Sequence, residues 1–386
     1  MSDEENEFGK VKVNFDKILW YYKIYFLWTY LAYKENSDGT ANRMIFLGGT
    51  NNLENQVIIK LIKRNNKGNE ILKEPYFLAC VKNKRYFTDI VEFFASNNCE
   101  DIYLILRDEG TDLANFIIDY KLDYNITIPN LSRFIIFQTV CGLKILHDNG
   151  FSHNDIKLGN IIISSRLKSK ICDLGSVSKN NTIKGNGTNG YLSPLALLGN
   201  KRTKEDDMYA VGIVFLELLN RKVGMFVIDK KIYEDKNNKD KNNKDRQLNY
   251  ILTKFYDIKY GNGDWNKTDY VINTINLIKK GRYDGFQFRI KPKYFNDNED
   301  QDNIDLINNL LQINPKKRWK ADQVLKLPMF QYFQFENDNT KMKYDEDEFK
   351  QYCTNNHPFD IEAFKKNVEN IRQKIVGDTL LEQSMI

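Results

Sequence analysis

H-N-D-I-K-L-G-N, His153 to Asn160, decides the reading of this chain. Upstream of it Leu131, Phe134, Ile135, Gln138, Cys141 and Ile145 recur at three- and four-residue steps until Asn149-Gly150 ends the run, so a helix leads into the octapeptide. Downstream come the apolar Ile161 to Ile163 and then D-L-G, Asp173 to Gly175. Asp155, Lys157, Asn160 and Asp173 therefore offer a carboxylate, an ammonium, an amide and a second carboxylate on a frame of helix, loop and strand. Taken alone, such residues could form a solvated turn. What argues otherwise is how many other spacings agree with them.

Working outward, the pattern divides the chain. From Ile18 to Leu106 the apolar stretches are short, β-branched and aromatic, broken by Asn and Gly clusters, which predicts a mainly antiparallel sheet with one helix near Glu70 to Val81. The aromatic run Ile18 to Tyr33 contains Lys23 and falls short of the roughly 20 apolar residues a membrane span needs, so it reads as strand. After Asp112 the pattern is helical, with further buried helices from about Glu205 to Leu219 and from Asp302 to Leu311. Between those two lies Asp235 to Asp245, where K-N-N-K-D occurs twice with little apolar surface, predicting a disordered insertion over about 233–247. Beyond Phe333 a polar tail carries Ile361, Phe364, Val368, Ile371 and Ile375 at helical spacing, an amphipathic helix that would dock on this chain or on a partner. The expected class is α+β, with a small β lobe over 14–110, a larger helical lobe over 111–333 and a tail over 334–386.

The loop and the D-L-G triplet resemble those of eukaryotic protein kinases, whose patterns are H-R-D-x-K-x-x-N and D-F-G. The resemblance runs from about Phe26 to Phe333 and implies a two-lobed protein kinase fold that uses ATP and Mg2+ to phosphorylate serine or threonine hydroxyls of a protein substrate. By this resemblance Asp155 would accept or orient the hydroxyl proton and Lys157 would hold the moving phosphoryl oxygen, while Asn160 and Asp173 would supply oxygen ligands for magnesium. V-I-I-K puts Lys60 where the family lysine pairs the α- and β-phosphates, with Glu74 as its helix partner and Glu70 as second choice. I-Y-L-I-L-R-D-E-G-T-D-L, Ile102 to Leu113, resembles the last small-lobe strand and the hinge. That makes Leu106 the gatekeeper, sets backbone groups from Arg107 to Glu109 on adenine, turns Asp112 to the ribose, and puts Ile45, Ile58 and Ile162 around the ring.

G-T-N-G-Y-L-S-P, Gly187 to Pro194, is similar to the substrate-docking end of an activation segment, and Thr188 with Lys157 favours serine or threonine as acceptor. D-M-Y-A-V-G, Asp207 to Gly212, resembles the buried helix that follows, and N-P-K-K-R-W places Arg318 in the family's last recurring position. The short link from Lys60 to Glu74 also gives some resemblance to the casein-kinase-like branch.

Several positions depart from the family pattern, and each carries an expectation. Asp38, Thr40 and Arg43 stand where glycines usually cover the phosphates, with only Gly39 nearby. Close backbone approach becomes harder there, and Arg43 would replace a backbone contact with a guanidinium one. Ile58 stands where alanine is usual and narrows the adenine slot. Asn154 replaces the arginine that in many relatives grips a phosphorylated activation loop, which predicts activity without such phosphorylation. Leu195 replaces the glutamate that usually pairs the buried arginine, so Arg318 must find other acceptors or lie exposed. Gly159, where kinases preferring basic substrates often carry an acid, and Lys179, Lys184, Lys201, Arg202 and Lys204 suggest acidic or phosphorylated substrates, or simply a solvated basic face.

Composition narrows the rest. The 386 residues are 41% hydrophobic, and 57 Lys and Arg against 52 Asp and Glu leave a dispersed charge of +5, which argues against a nucleic-acid partner. Five cysteines, odd in number and never at metal-ligand spacing, suggest neither a disulfide framework nor a zinc site, and they suit a reducing, cytoplasmic setting, with the nucleus left open. Met1 to Glu7 is acidic and reads as no secretory signal. Two other functions compete: a pseudokinase acting as a binding or scaffolding module, and a small-molecule kinase of related fold. Intact Asp155, Lys157, Asn160 and Asp173 argue against the first, and the Gly187 to Pro194 segment against the second.

Overall fold

Stretches rich in β-branched and aromatic residues form strands in the first part of the chain. They are β1 (Tyr25–Glu35), β2 (Ala41–Thr50), β3 (Gln56–Lys63), β4 (Ile90–Ala95) and β5 (Asp101–Arg107), joined in one antiparallel sheet of order β1-β2-β3-β5-β4. Because β3 is paired on both edges, Lys60 stands across from Ile45 on one neighbour and from Leu104 on the other. Between β3 and β4 a 3-10 turn (Gly68–Leu72) runs into α1 (Lys73–Cys80), where every residue from Glu74 to Cys80 is buried. A helix this short has no stability of its own in water, so its packing holds it.

The computed structural model describes residues 25–35, 41–50, 56–64, 68–82, 84–119, 128–182, 187–227, 243–260, 263–264, 268–283, 286–295, 299–333, 341–353 and 359–383. They fall into two compact units: the first holds the residues up to Lys82, Asp89–Asp108 and those from Tyr344 on, the second Asn83–Thr88 and Glu109–Lys343. Asp38, Gly39 and Thr40 of the expected phosphate loop lie outside the described residues, as does Lys184.

The second unit opens with β6 (Thr111–Asp112), α2 (Leu113–Asp119) and the long α3 (Ile128–Asp148), followed by β7 (Phe151–Ser152), β8 (Ile161–Ile163), β9 (Ser169–Ile171) and β10 (Ser178–Lys179). These strands form two small sheets, β6-β8-β9 and β10-β7, which flank the His153 to Asn160 loop. Then come α4 (Pro194–Leu197) and α5 (Lys204–Asn220), which is buried without interruption from Asp206 to Leu219 and so serves as the unit's central rod. Gly212 lets the next layer approach that rod: a Cβ there would lie 2.8 Å from Leu311 Cδ2 and 2.9 Å from Leu310 Cβ.

Two features differ from expectation in the remainder, α6 (Asn243–Phe255), β11 (Tyr256–Tyr260), β12 (Gly263–Asp264), α7 (Thr268–Lys279), β13 (Phe286–Ile290), α8 (Gln301–Leu310) and α9 (Ala321–Leu325). The three-stranded sheet β12-β11-β13 sits in what reads as a purely helical half; Phe286, Phe288 and Ile290 are buried with exposed residues between them, the two-residue period of a strand. The expected disordered stretch over about 233–247 is also corrected at its end, because 243–247 already belong to α6. Asp245 sits in the helix's first turn, where its charge suits the dipole, and pairs with Lys279 of α7. Residues 228–242 lie outside the described set.

The tail returns to the first unit as α10 (Glu346–Cys353) and α11 (Ile361–Gln383). α10 packs on the 3-10 turn and α1, and α11 on β4 and α1. Phe364, Val368, Ile371 and Ile375 are buried there, whereas Ile361 stays exposed. Among the described residues, no helix is long and apolar enough to cross a membrane.

Candidate active site

α3 ends at Asp148, and Gly150, with φ +81°, turns the chain back into β7. The loop that follows is gripped from α5. Asp207, buried, accepts the backbone N–H of His153 on Oδ2 and that of Asn154 on Oδ1, each at 2.8 Å, and its Oδ2 also meets His147 Nε2 at 2.9 Å. Burial pushes the Asp207 carboxyl up, but the hydrogen bond and charge of His147, with the Asn154 amide, outweigh it and hold the group below its ordinary value. Sequence reasoning placed this aspartate on a buried helix and gave it no task; the available signal was an acid in an apolar helix, which must find donors to be buried.

That grip presents Asp155. Its Oδ1 accepts the Thr188 N–H at 3.0 Å and the Thr188 hydroxyl at 2.6 Å; its Oδ2 accepts Lys157 Nζ at 2.8 Å and Asn160 Nδ2 at 3.1 Å. Lys157 Nζ also donates to Thr188 Oγ1 at 2.8 Å, and Asn160 Nδ2 to the Asp155 carbonyl at 2.7 Å. Four of the predicted residues thus share one network. With its nitrogen on Asp155, Asn160 has its amide oxygen left to offer. The Cys172 N–H donates to the Asn160 carbonyl at 3.0 Å, which brings the residue before Asp173 onto the loop. Asp173 itself lies at φ +57°, ψ +67°, heading the 3-10 turn Leu174–Ser176. That conformation costs a residue with a Cβ roughly 1–2 kcal/mol, and Asp is one of the few that adopt it.

In the first unit Lys60 Nζ meets Glu74 Oε1 at 2.6 Å, with the residues 5% and 3% exposed, while Glu70 is exposed. Glu74 Oε2 is buried with no hydrogen-bond partner among the described residues. Apolar residues of similar size would often be as stable as a buried ion pair, so a buried pair between β3 and α1 argues for chemistry.

The family model described as protein kinase domain matches residues 44–330, most of the chain. The chain belongs to the protein kinase family. A probable serine/threonine-protein kinase of Encephalitozoon cuniculi (strain GB-M1) is 30% identical over 171 residues, 43% of this chain and 31% of that protein. Extracellular signal-regulated kinase 1 of Dictyostelium discoideum is 24% identical over 320 residues, 80% of this chain and 54% of its own. Mitogen-activated protein kinase hog1 of Blastobotrys adeninivorans is 26% identical over 238 residues, 59% and 52% respectively. The chain spans from under a third to just over half of the length of these relatives. One of these relatives is a probable serine/threonine-protein kinase and one a mitogen-activated protein kinase; a likeness to the casein-kinase-like branch is not shown by them.

The other predicted residues divide. Leu106 is buried in β5, across from Ile58 on β3 and Ile90 on β4. Arg107 is exposed, and its N–H donates to the Asp89 carbonyl at 3.0 Å. Glu109 pairs with Lys170 at 2.8 Å. The Asp112 carboxylate, for which the resemblance implies a ribose, caps α2. Oδ1 accepts the Ala114 and Asn115 N–H groups at 2.9 and 3.0 Å, and Oδ2 accepts Asn115 Nδ2 at 2.7 Å. The unpaired N–H groups of a helix's first turn call for such a cap. Ile45, Ile58 and Ile162 are half-buried; the strand neighbours Ile59, Ile161 and Ile163 are buried, so Ile58 and Ile162 lie on the sheet faces away from the core.

Asn154, in the kinase family's arginine position, is 1% exposed at φ +67°. Its Nδ2 lies 3.0 Å from each of the Ser152 carbonyl, the Ser176 carbonyl and Ser178 Oγ. An amide therefore ties the His153 to Asn160 loop to the segment after Asp173. Alanine at Ser176, Ser178 and Thr182 together is expected to keep kcat within about tenfold of wild type, since only the Ser178 contact, worth about 1 kcal/mol, is lost from this tie. A phosphotransfer assay on the folded triple variant checks this, and abolished activity would refute it.

Asp155 also carries an expectation in pH. Burial raises its pKa, but the hydrogen bonds from Lys157 and Thr188 and the charges of Lys157 and His153 outweigh this and hold it below the ordinary carboxylate value. A carboxylate depressed by folding stabilises the protein above the unfolded value, near about 3.9, and that contribution fades as pH falls through the lower folded value. The carbon-13 resonance of the Asp155 carboxyl, assigned by its loss in Asp155→Asn, is expected to titrate with a midpoint below the ordinary carboxylate value of about 3.9. A midpoint above that would contradict the network.

Proposed function

We propose that this chain transfers the γ-phosphoryl group of ATP to serine or threonine hydroxyls of proteins, with magnesium bound alongside the nucleotide. The observation that carries the reading is the network joining Asp155, Lys157, Asn160 and Thr188. In the proposed reaction the acceptor oxygen bonds to the γ-phosphorus as the bond from that phosphorus to the leaving oxygen of ADP breaks, and the hydroxyl proton passes to Asp155. The Asp155 carboxylate, held ionised by its bonds from Lys157 and Thr188, would orient the hydroxyl before it takes the proton. Lys157 would balance charge on the moving phosphoryl group, and Lys60, held by Glu74, would take the α- and β-phosphates. The Asn160 amide oxygen and the Asp173 carboxylate are hard donors of the kind magnesium accepts while it keeps waters and phosphate oxygens as its other ligands. Magnesium bound there would neutralise phosphate charge. At the hinge, adenine recognition by Arg107 would fall to its C=O, its N–H being taken by Asp89.

For substrate choice we favour acidic or already phosphorylated sequences, with Gly159, Lys179, Lys201 and Lys204 facing them; Arg202 drops out because it is 2% exposed. A peptide library showing arginine preferred before the acceptor would remove that preference. The setting proposed is cytoplasmic or nuclear. Radiolabelled ATP with a generic protein substrate tests the activity: label is expected with wild type and not with Asp155→Asn or Asp173→Asn. Equal residual label in all three would make the chain a scaffold.

A further inference from the structure

The kinase pattern puts a glutamate at position 195 to pair the buried arginine, and this chain has a buried leucine there. Arg318 is nevertheless 1% exposed. Its NH1 donates to the Glu205 carbonyl at 2.6 Å, its Nε and NH2 to the Gln312 carbonyl at 3.0 and 2.8 Å, and its NH2 reaches the Ile313 carbonyl at 3.4 Å. Carbonyls satisfy the donors of a guanidinium and leave its charge unbalanced, which a buried cation does not tolerate cheaply. The carboxylate beside it is Asp206, whose Oδ1 lies 3.5 Å from NH1.

Asp206 is 5% exposed and serves two elements at once. Its Oδ2 accepts the Thr203 N–H at 2.8 Å and the Thr203 hydroxyl at 3.3 Å, one half of the capping box that starts α5. Its Oδ1 accepts the hydroxyl of Ser193 at 2.5 Å. Ser193 is fully buried, and its oxygen in turn accepts the Ala196 N–H at 3.2 Å, capping α4. Two residues before Ser193, the Tyr191 N–H donates to the carbonyl of Thr188, the residue that holds Asp155.

We propose that Asp206 is a positioning residue for phosphotransfer, one that anchors the Gly187–Pro194 segment to α5 and Arg318 through the Ser193 hydroxyl and so stands in for the carboxylate absent at position 195. The anchor has moved from the docking segment to the helix beneath it, with a serine hydroxyl spanning the gap. This rests on reading Gly187–Pro194 as the acceptor-docking segment.

The test compares wild type, Asp206→Asn and the double variant Leu195→Glu/Asp206→Asn in the full chain, by peptide kinetics and by amide hydrogen exchange. Asp206→Asn is expected to raise the peptide KM about tenfold, the scale of one lost charge-assisted hydrogen bond, with the ATP KM within about twofold of wild type. Exchange at residues 188–197 should quicken, while the centre of α5 stays protected. Returning a carboxylate to position 195 should bring the peptide KM back toward the wild-type value. Unchanged peptide KM and unchanged exchange in folded Asp206→Asn would overturn the anchor, and a double variant no better than the single would overturn its equivalence to a glutamate at 195. Should Asp206→Asn fail to fold, Ser193→Ala keeps the α5 capping box and is read by the same two measurements. A wild type with no phosphotransfer would instead sink the kinase reading, and the exchange data would still decide the anchor.

Discussion

Asp155→Asn is expected to cut kcat by about 10³-fold, within the range assigned to a positioned base, while the protein still folds. The asparagine oxygen can keep the Thr188 bonds, but its nitrogen would then face Lys157 Nζ, which now donates to Oδ2 at 2.8 Å. Two donors cannot share that line. Lys157 must swing away, so the variant loses the proton acceptor and misplaces the ammonium that would balance the moving phosphoryl group. The stability cost is that of a few part-buried hydrogen bonds, about 1 kcal/mol, or roughly 1–2 °C in Tm at about 2.1 cal/mol/K of unfolding entropy per residue. Phosphotransfer and thermal melts on the same preparation separate the two effects. Activity within tenfold of wild type would mean that Asp155 is not the proton acceptor.

Ending the chain after Phe333 is expected to be more damaging still, because it removes α10 and α11 from the first unit. Phe364, Val368, Ile371 and Ile375 are each at most 7% exposed, and burying four such side chains contributes on the order of 6–12 kcal/mol, an upper estimate that already rivals a whole domain's stability. The loss falls on α1. Tyr76 Oη donates to the Asp345 carbonyl at 2.9 Å and accepts the Asp345 N–H at 3.1 Å, and the Tyr76 ring is flanked by those of Tyr344, Phe349 and Tyr352. Lys82 donates to the Ile375 carbonyl, and Arg372 pairs with Glu92 at 2.8 Å. Since α1 carries Glu74, the truncated chain should lose the Lys60 pair, its activity, and its resistance to proteolysis over 68–108. Ile371→Ala is the milder probe, costing about 2–5 kcal/mol. A truncated chain with wild-type Tm and kcat would show that the tail holds nothing in place.

The clustering of Asp155, Lys157 and Asn160 was legible because they sit within eight consecutive residues. Lys60 and Glu74 could be read because a strand lysine and a helix acid each stood in recognisable surroundings. The helix cap made by Asp112 went unread although D-L-A-N announces it, since cap chemistry acts over three residues where a ligand contact needs the whole fold. The acceptors of Arg318 were out of reach for a plainer reason: three are backbone carbonyls, which every residue has and no sequence displays. F-Q-F-R-I alternates as a strand should, yet it pairs with Tyr256–Tyr260, and nothing local signals that partner. The start of α6 inside K-N-N-K-D likewise depends on Lys279, a residue 34 positions away.

The contact between Tyr76 and Asp345 spans 269 positions of chain, and it bears on how the protein is made. Synthesis delivers the N-terminal strands first, and segments fold as units while the ribosome moves on. The second unit, including His153 to Asn160, is complete once residue 343 has emerged. The first unit is not, because α1 waits for residues 344–383 to cover it. A nascent or prematurely stopped chain therefore carries a finished His153 to Asn160 loop and an unfinished sheet whose apolar helix is uncovered, a species for chaperones to hold and proteases to find.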